Sequence, residues 1–327
     1  MNFVAQMKRA SKQVATECSV LFASVPGLEV SALSEELCAI LAIQSLAIEG
    51  DDFTGPNRVV AFRAAACEVT IELSETIRPR AAYFDALDWP LLHRTFPEVE
   101  DRLAKHMAQV HITVETEYDA IAGAGRIGLG ATHYARAQLA GAVVTAICRL
   151  ATPLAIHWKS CEMLFHPESF VAALDTDPVS AFVRATPFSS NREIDEVRLI
   201  GASTRGASEF LGTEAVLEEA PLPLDWVMAT LSGFVSHCRD RGAYPPHLEK
   251  YLTETGDQIV VRHLAATPEI VEPHVSLEVC KAPAFGFDIA SADFEDLRPP
   301  RRAVSWNGVE RRSRPKSAKT FGRRGLR

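Results

Sequence analysis

The sequence lacks a hydrophobic run long enough to cross a membrane. Its longest apolar stretches, "CSVLFASV" (18–25) and "AGAVVTAICRLATPLAI" (140–156), are short or interrupted by polar residues. A membrane-spanning helix needs about 20 consecutive apolar residues. The first seventeen residues carry charges at both ends and no compact apolar segment, which is unlike a signal peptide. We therefore expect a cytoplasmic protein without a transmembrane segment.

The chain also lacks the short motifs by which many enzymes are recognised. It contains no G-x-S-x-G, no Walker loop, no H-E-x-x-H and no C-x-x-C. Its seven cysteines are odd in number and scattered, which favours reduced thiols over a disulfide framework. No catalytic, cofactor-binding or metal-binding residue is predicted. Whether the protein is an enzyme stays open, and a non-enzymatic role is favoured.

One glycine-rich stretch, "GAGRIGLG" (123–130), does match the dinucleotide-binding pattern G-x-G-x-x-G. In that fingerprint a strand ends at the first glycine, and the next helix begins inside the motif. Here the predicted strand ends near Glu115, eight residues before Gly123, and the helix is predicted to begin at residue 131. The acid expected about 20 residues downstream is replaced by Cys148. We interpret the stretch as a surface connection that binds no nucleotide.

Histidines and cysteines come close together at several places without matching a usual zinc-ligand spacing. Ordinary surface or core positions are favoured for all of them, but sites built from these groups stay open as alternatives. The last two histidines are predicted to lie near each other across the final hairpin. The groups are His157 with Cys161 and His166, His106 with His111, and His263 with His274.

The net charge of −8 conceals two regions of opposite sign. Residues 298–327 hold eleven Lys or Arg and one acid, about +10, which leaves −18 for residues 1–297. This basic tail has the composition of a disordered arm. We expect it to bind an acidic partner, an anionic surface or nucleic acid, or to lie over the acidic body. Its candidate contact residues are Arg301, Arg302, Arg311, Arg312, Arg314, Lys316, Lys319, Arg323 and Arg324.

Apolar periodicity predicts an α+β protein of two related halves. Residues 18–116 give the order β-α-β-β-α-β, which is ferredoxin-like, and residues 131–281 give a second α+β half. We expect mixed or antiparallel sheets with helices packed on one face. A polar extension (1–17), the glycine-rich connection (117–130) and the disordered tail (282–327) complete the predicted organisation.

The predicted elements follow from alternating or helical spacing of apolar residues. In the first half they are strands at 18–24 and 109–115, a hairpin at 59–73, and helices at 31–42 and from residue 95. In the second half they are helices at 131–150, from Pro167 and at 225–241, and strands at 153–158, 180–187, 194–203, 213–219, 258–264 and 274–280.

Several segments occur in an order that points to one group of bacterial proteins. They are "LAIHWKSCEMLFHPESF" (154–170), with Trp158, Pro167, Glu168 and Phe170, "FLGTEAVLEE" (210–219), with Gly212 and Glu214, and "GDQIVVRH" (256–263). Together with "VLFASVPGLEVSAL" (20–33) and residues 89–114, they resemble the uncharacterised family called domain of unknown function 4261 over about residues 18–281. The family implies no established reaction, cofactor or site residue, so the resemblance carries no chemistry to this chain.

Charge and the missing motifs predict a protein that acts by binding another macromolecule, most readily another protein. An acidic body that masks a basic surface would fit an accessory or immunity-type protein. Two alternatives stay open. One is an enzyme whose site is assembled from residues far apart in sequence. The other is nucleic-acid association through the basic tail.

Overall fold

The computed structural model describes residues 15–50, 53, 58–64, 66–116, 126–194, 196–253, 255–265 and 273–288. These residues form two main β-sheets and the helices packed on them, which confirms the predicted α+β class. The candidate residues of the basic tail, from Arg301 to Arg324, lie outside the described residues, as do Gly123 and Gly125.

The secondary structure alternates between strands and helices along the chain. The strands are β1 (Ala15–Phe22), β2 (Ile48–Glu49), β3 (Val59–Ala64), β4 (Cys67–Ser74), β5 (Ala108–Thr116), β6 (Ala155–Trp158), β7 (Met163–Phe165), β8 (Arg184–Phe188), β9 (Glu193–Ile194), β10 (Val197–Arg198), β11 (Ile200–Arg205), β12 (Glu214–Ala220), β13 (Lys250–Leu252), β14 (Gln258–Leu264), β15 (His274–Ala282) and β16 (Phe287–Asp288). The helices are α1 (Val30–Leu41), α2 (Phe84–Leu87), α3 (Leu92–Thr95), α4 (Val99–Ala104), α5 (Arg126–Leu150), α6 (Pro167–Thr176), α7 (Pro178–Phe182), α8 (Ser208–Leu211) and α9 (Leu224–Arg241), with 3₁₀ turns at Arg80–Tyr83 and Pro283–Phe285.

The first sheet is antiparallel, with the strand order β2-β3-β4-β5-β1-β6-β7. Successive side chains of a strand point to opposite faces. In β1, Val20 therefore packs in the core shared with α1 and α5, whereas Leu21 packs with Tyr83 and Phe96 of the short helical segment 80–104. Helices thus cover both faces of this sheet. The expectation of helices on one face is wrong here, because the segment between β4 and β5 returns across the second face.

The element order β-α-β-β-α-β occurs as predicted, but the strands pair differently from a ferredoxin-like sheet. In that arrangement the first strand lies between the third and the fourth, which here would put β1 between β4 and β5. Instead β5 lies between β4 and β1, with His111 opposite both Glu72 and Ser19. Periodicity identifies a strand and its buried face, but it does not specify which strands become neighbours.

Strands β6 and β7, predicted as part of the second half, extend the first sheet beyond β1, with His157 opposite Ser19. The helix before them, α5, begins at Arg126 rather than at residue 131 and so includes Gly128. Glycine in a helix costs about 1 kcal/mol relative to alanine, which is why the glycines favoured a loop. The continuous hydrogen bonding of a 25-residue helix outweighs that cost. Because β5 ends at Thr116, the strand-to-helix spacing still exceeds the tight turn of a dinucleotide fingerprint.

The second sheet is mixed, with the order β13-β14-β15-β12-β11-β8, and β16 pairs with β15. Only the β12–β15 pair among these is parallel. Helix α9 packs on one face, where Leu231 and Phe234 share a core with Leu217 and Leu277. The predicted apolar stripe of this helix is therefore confirmed.

The opposite face of the second sheet carries polar side chains that bond to one another. Arg262 of β14 donates from Nε to Glu278 of β15 at 2.7 Å. Ser276 donates from Oγ to Glu218 of β12 at 2.6 Å. These buried or half-buried groups satisfy each other without help from a helix.

Two side chains join the first sheet and its helices to β8 of the second sheet. Arg184 donates from Nη1 to the backbone carbonyl oxygens of Asp85 at 3.0 Å and of Glu162 at 2.8 Å. Trp89 donates from Nε1 to the carbonyl oxygen of Ala185 at 3.1 Å. We call these three hydrogen bonds the inter-sheet clasp.

Candidate functional site

Four neighbouring strands of the first sheet each contribute one polar residue to a single cross-strand row. Glu72 of β4 lies opposite His111 of β5, His111 opposite Ser19 of β1, and Ser19 opposite His157 of β6. Side chains at directly opposed positions lie on the same face of a sheet and within contact distance. We call these four residues the histidine row.

The centre of the histidine row is a hydrogen bond between Ser19 and His111. The Ser19 Oγ lies 3.1 Å from Nδ1 of His111, and Nε2 of the same ring lies 3.9 Å from Oε2 of Glu17. Burial and the positive charge of Arg78 lower the pKa of His111, against the opposing charge of Glu17. The imidazole is therefore neutral at neutral pH. With its proton on Nε2, toward Glu17, its Nδ1 accepts the Ser19 proton.

The His157 end of the row is paired with a carboxylate. Its Nε2 lies 3.0 Å from Oε2 of Glu162. Burial alone would raise the pKa of Glu162, but the hydrogen bond from His157 and the charges of His157, Arg205 and Arg184 together lower it. An ionised carboxylate only accepts, so His157 carries its proton on Nε2 and donates.

Tyr83, the last residue of the 3₁₀ turn, closes the buried side of the row. Its ring meets His157 edge-on with centroids 5.2 Å apart and His106 with centroids 6.4 Å apart. Burial raises the pKa of Tyr83 to about 12, although the charge of Arg78 opposes this. The phenol therefore stays protonated and is available as a hydrogen-bond donor.

Three buried polar atoms beside the row have no hydrogen-bond partner in the described part of the chain. They are Oη of Tyr83, Nε2 of His106 and Oε1 of Gln109. Gln109 lies two residues before His111 on β5 and therefore on the same face. A buried polar atom without a partner costs about 1–3 kcal/mol, so native structures usually satisfy it with protein, water or ligand.

This arrangement can bind a polar ligand and accept a proton from it. A serine hydroxyl within hydrogen-bond distance of a neutral histidine is the first requirement of catalysis by a serine nucleophile that histidine activates. The third group of such a set must orient the histidine by a hydrogen bond. Glu17, at 3.9 Å from His111, lies beyond that distance, and Ser19 is only 2% exposed. Binding with proton acceptance at His111 is what the geometry supports.

The structure separates the predicted group of His157, Cys161 and His166. Cys161 is fully buried in the core on the other side of the sheet, and its thiol donates to the carbonyl oxygen of Trp158. The His166 ring lies 2.9 Å from the guanidinium of Arg102. Each of these side chains thus has a structural role of its own.

His263 and His274 lie in neighbouring cross-strand pairs, but the predicted arrangement in which they face each other across the final hairpin is wrong. In the register of β14 and β15, His263 lies opposite Val275, and His274 lies opposite Leu264. A shift of one residue turns the two histidines to opposite faces of the sheet. His263 instead meets His247, whose Nδ1 accepts its backbone N–H at 3.0 Å.

His106 and His111, which are near in sequence, do contribute to one site, but together with residues that are distant in sequence and that no motif connected to them. Ser19, Tyr83 and His157 join them only through strand pairing and the return of segment 80–104. The available signal was the polar face of the strand at 109–115, on which Gln109 and His111 alternate with buried valine and isoleucine. Arg78 carried no signal in the sequence.

Glu214, named in the family resemblance, has a structural role. Its carboxylate accepts the backbone N–H groups of Gly206, Ala207 and Ser208 at 2.9–3.2 Å. The hydroxyls of Thr204 and Ser208 also donate to it at 2.7 Å. An amide cluster that could have bound an external anion is thus filled by the protein itself.

Further features of the described residues bear on function. No group of three or more His, Cys, Asp or Glu among them is arranged to hold a metal ion. All seven cysteines are free of disulfides, as predicted, and burial raises the pKa of Cys148 and Cys238 to about 12. None of the helices in these segments is long and apolar enough to cross a membrane.

Two surface hollows, of about 310 Å³ beside β13 and about 400 Å³ beside Phe84, lie outside the histidine row.

No family model matches the chain, and no curated protein or solved structure matches it. The resemblance to the domain of unknown function 4261 family therefore stays a prediction.

Proposed function

We propose that the protein binds a small polar ligand at the histidine row and that His111 takes up a proton through Ser19. The Ser19 hydroxyl proton moves to Nδ1 of His111, and a donor group of the ligand gives its proton to Oγ of Ser19. The proposed site shares one feature with the enzyme alternative, because it is assembled from residues far apart in sequence, but the proposal includes no catalysed reaction. The observation that carries the proposal is the hydrogen bond between buried Ser19 and His111, a ring held neutral by burial and by Arg78. A neutral imidazole in a polar, half-buried setting is a proton acceptor near physiological pH.

The surroundings of His111 also support ligand binding. The helical cover of the sheet protects the Tyr83 side of the row, whereas His111 and Glu17 keep 22% and 31% of their side-chain surfaces exposed. A ligand can therefore approach from the Glu17 side and reach hydrogen-bonding groups that water reaches poorly. Such partial exclusion of water strengthens each polar contact.

Ring signals of ¹³C-labelled histidine in the full chain test this proposal by NMR. Polar molecules of both charge types, such as glycerol, glycolate and inorganic phosphate, are titrated into the wild type, His111→Gln and His93→Gln. His93 is exposed on α3 and serves as the matched control. We expect at least one molecule to perturb the ring signals of His111 and His157, with the His157 response lost in His111→Gln and kept in His93→Gln. Equal responses of the two variants would exclude the site.

Protein binding, the function expected from charge, is a second candidate that one observation favours. β13 is an edge strand of the second sheet, and Leu248 and Leu252 beside it are 55% and 63% exposed. An extended segment of another chain can add to such an edge through backbone hydrogen bonds. The hollow beside β13 is lined by two cations, Arg241 and Lys250, and one acid, Glu249. Arg241 lies 3.5 Å from Glu249, which leaves one net positive charge to attract an acidic segment.

Co-purification from the native cell separates this candidate from the first. Leu252→Lys alters the edge of β13, and Ile194→Lys alters an exposed residue of β9 as the control. A protein partner retained by the wild type and by Ile194→Lys, and lost with Leu252→Lys, would support binding at β13. A partner retained equally by all three proteins would assign binding to another surface. The cytoplasmic location and the role of the basic tail stay predictions within this proposal.

A further inference from the structure

We propose that the ligand of the histidine row carries an oxyanion, a carboxylate or a phosphate, bound by Arg78, with a hydroxyl group beside it. This inference rests on the proposed function and names the ligand class for the same site. Its basis is one cation that makes no ion pair with the described residues, together with the three buried polar atoms beside the row.

Arg78 is a half-buried cation next to the row. It lies in the connection between β4 and the 3₁₀ turn, and it makes no hydrogen bond or ion pair with the described residues. Ser74, four residues before Arg78, lies opposite Gln109, and Tyr83 follows five residues after it, so the chain keeps Arg78 close to the row. Its charge also acts on Tyr83, His106 and His111. A guanidinium has five donors in a planar fork that matches the two oxygens of a carboxylate or phosphate.

The other cations near the row already have partners. Lys159 is ion-paired with Glu17, and Arg205 lies 3.3 Å from Asp85 and 3.9 Å from Glu162. Arg78 is thus the cation at this site whose charge the described residues leave without an ion pair. An oxyanion would be repelled by Glu17 and attracted by Arg78, which orients it toward Tyr83 and away from the Glu17 end of the row.

The buried atoms without partners complete the description of the ligand. The Tyr83 hydroxyl is a donor and can bond an oxyanion beside Arg78. The Gln109 Oε1 is an acceptor and needs a donor, which an oxyanion cannot supply but a neighbouring hydroxyl can. His111 accepts from Ser19 at Nδ1 and lies on the same strand face as Gln109. A small hydroxylated acid satisfies these groups together, whereas a neutral polyol leaves Arg78 without a partner.

Glycolate and glycolamide test the inference because they have the same size and the same hydroxyl and differ in charge. Both are titrated into the full chain by histidine-ring NMR, with inorganic phosphate and glycerol as further probes. The variants are Arg78→Gln and the control Arg80→Gln, whose arginine is exposed and ion-paired with Glu100. We expect glycolate to bind at least about tenfold more tightly than glycolamide, and Arg78→Gln to remove that preference while Arg80→Gln keeps it.

The outcomes separate this inference from the proposed function. Glycerol or glycolamide binding as tightly as glycolate, with Arg78→Gln unchanged, would overturn the anionic ligand and leave the polar-ligand site intact. If none of the four molecules perturbs the His111 signal, both proposals fail. Tyr83→Phe provides a second readout, because it removes a hydroxyl without removing charge. It should weaken glycolate and phosphate binding severalfold while the apo protein stays as stable as the wild type.

Discussion

Two sets of polar side chains, one on each sheet, differ in their hydrogen bonding. On the outer face of the second sheet, Ser276 bonds Glu218 and Arg262 bonds Glu278, so these four groups satisfy one another. On the covered face of the first sheet, buried atoms of Tyr83, His106 and Gln109 have no partner among the residues described. Polar residues on a sheet therefore do not by themselves indicate a site. The informative feature is a buried polar atom that the fold leaves unsatisfied, because such atoms are uncommon in native structures and each needs an explanation.

The substitutions with the largest expected effect on stability test whether the two sheets unfold as one unit. Trp158 is fully buried, with its ring 5.5 Å from Phe170 and 4.9 Å from Phe182. Replacing it by alanine should lower the free energy of unfolding by about 3–5 kcal/mol. Phe234→Ala, in the core of the second sheet, should cost a similar amount.

Far-UV circular dichroism during urea unfolding provides the measurement for both variants. Because the inter-sheet clasp joins the two sheets, we expect one cooperative transition that shifts to lower urea in each variant. Two transitions, of which each variant shifts only one, would show that the two sheets unfold independently.

The second prediction concerns Glu209 on α8, at the junction with α5. Burial raises the pKa of Glu209 to about 7, and Arg136 only partly opposes this. A carboxyl group whose folded pKa lies above its unfolded value stabilises the fold at low pH, and that contribution is lost between about pH 4.5 and pH 7. Glu209→Gln should therefore raise the free energy of unfolding at pH 8 by at most about 3 kcal/mol before solvent screening, which thermal unfolding would show as a higher midpoint. A variant less stable than the wild type at pH 8 would contradict this assignment.

His133 on α5 should give the opposite pH dependence. Burial and the charge of Arg136 lower its pKa to about 4. A histidine whose folded pKa is lowered stabilises the fold above about pH 6.5, and that contribution is lost as the pH falls toward 4. His133→Asn should flatten the loss of stability between pH 6.5 and pH 4, measured by urea unfolding at each pH, with exposed His93→Asn as control. An unchanged slope would assign the acid sensitivity to other groups.

Two substitutions with small expected effects test directly whether these two sets of polar side chains differ in hydrogen bonding. Ser276→Ala removes a satisfied buried hydrogen bond to a carboxylate and should cost about 1.5–3 kcal/mol. Tyr83→Phe removes a buried hydroxyl without a partner and should be neutral, or stabilise the protein by about 1 kcal/mol. Urea unfolding of the two variants gives the answer, and equal losses would mean that Tyr83 is satisfied in solution.

Local patterns predicted individual elements well. Strand β14 occupies residues 258–264 as predicted, and α9 begins one residue before its predicted start. Apolar spacing reports these elements because each buries one face. The predicted strand at 180–187 was partly wrong, since residues 178–182 form α7. Proline at the first position of a helix loses no hydrogen bond there, and Pro178 occupies that position.

The histidine row could not be predicted in the same way. Ser19 and His111 are 92 residues apart, and their contact depends on β5 pairing with β1 rather than with another strand. Pairing is decided by the packing of the whole sheet, for which a single sequence gives no local signal. Arg78 lies in a connection without regular spacing, so its nearness to three rings depends entirely on tertiary structure.

The inter-sheet clasp has a consequence for how the chain tolerates substitution. Its donors are the side chains of Arg184 and Trp89, but its acceptors are the backbone carbonyls of Asp85, Glu162 and Ala185. Every amino acid supplies the same carbonyl oxygen. Exchanges at the three acceptor positions therefore keep the bonds as long as the local backbone is kept, whereas exchanges at Arg184 or Trp89 remove them. Among variants selected for folding, we expect few amino acids to be accepted at Arg184 and Trp89. At the three acceptor positions we expect the inter-sheet clasp to place no restriction on the side chain.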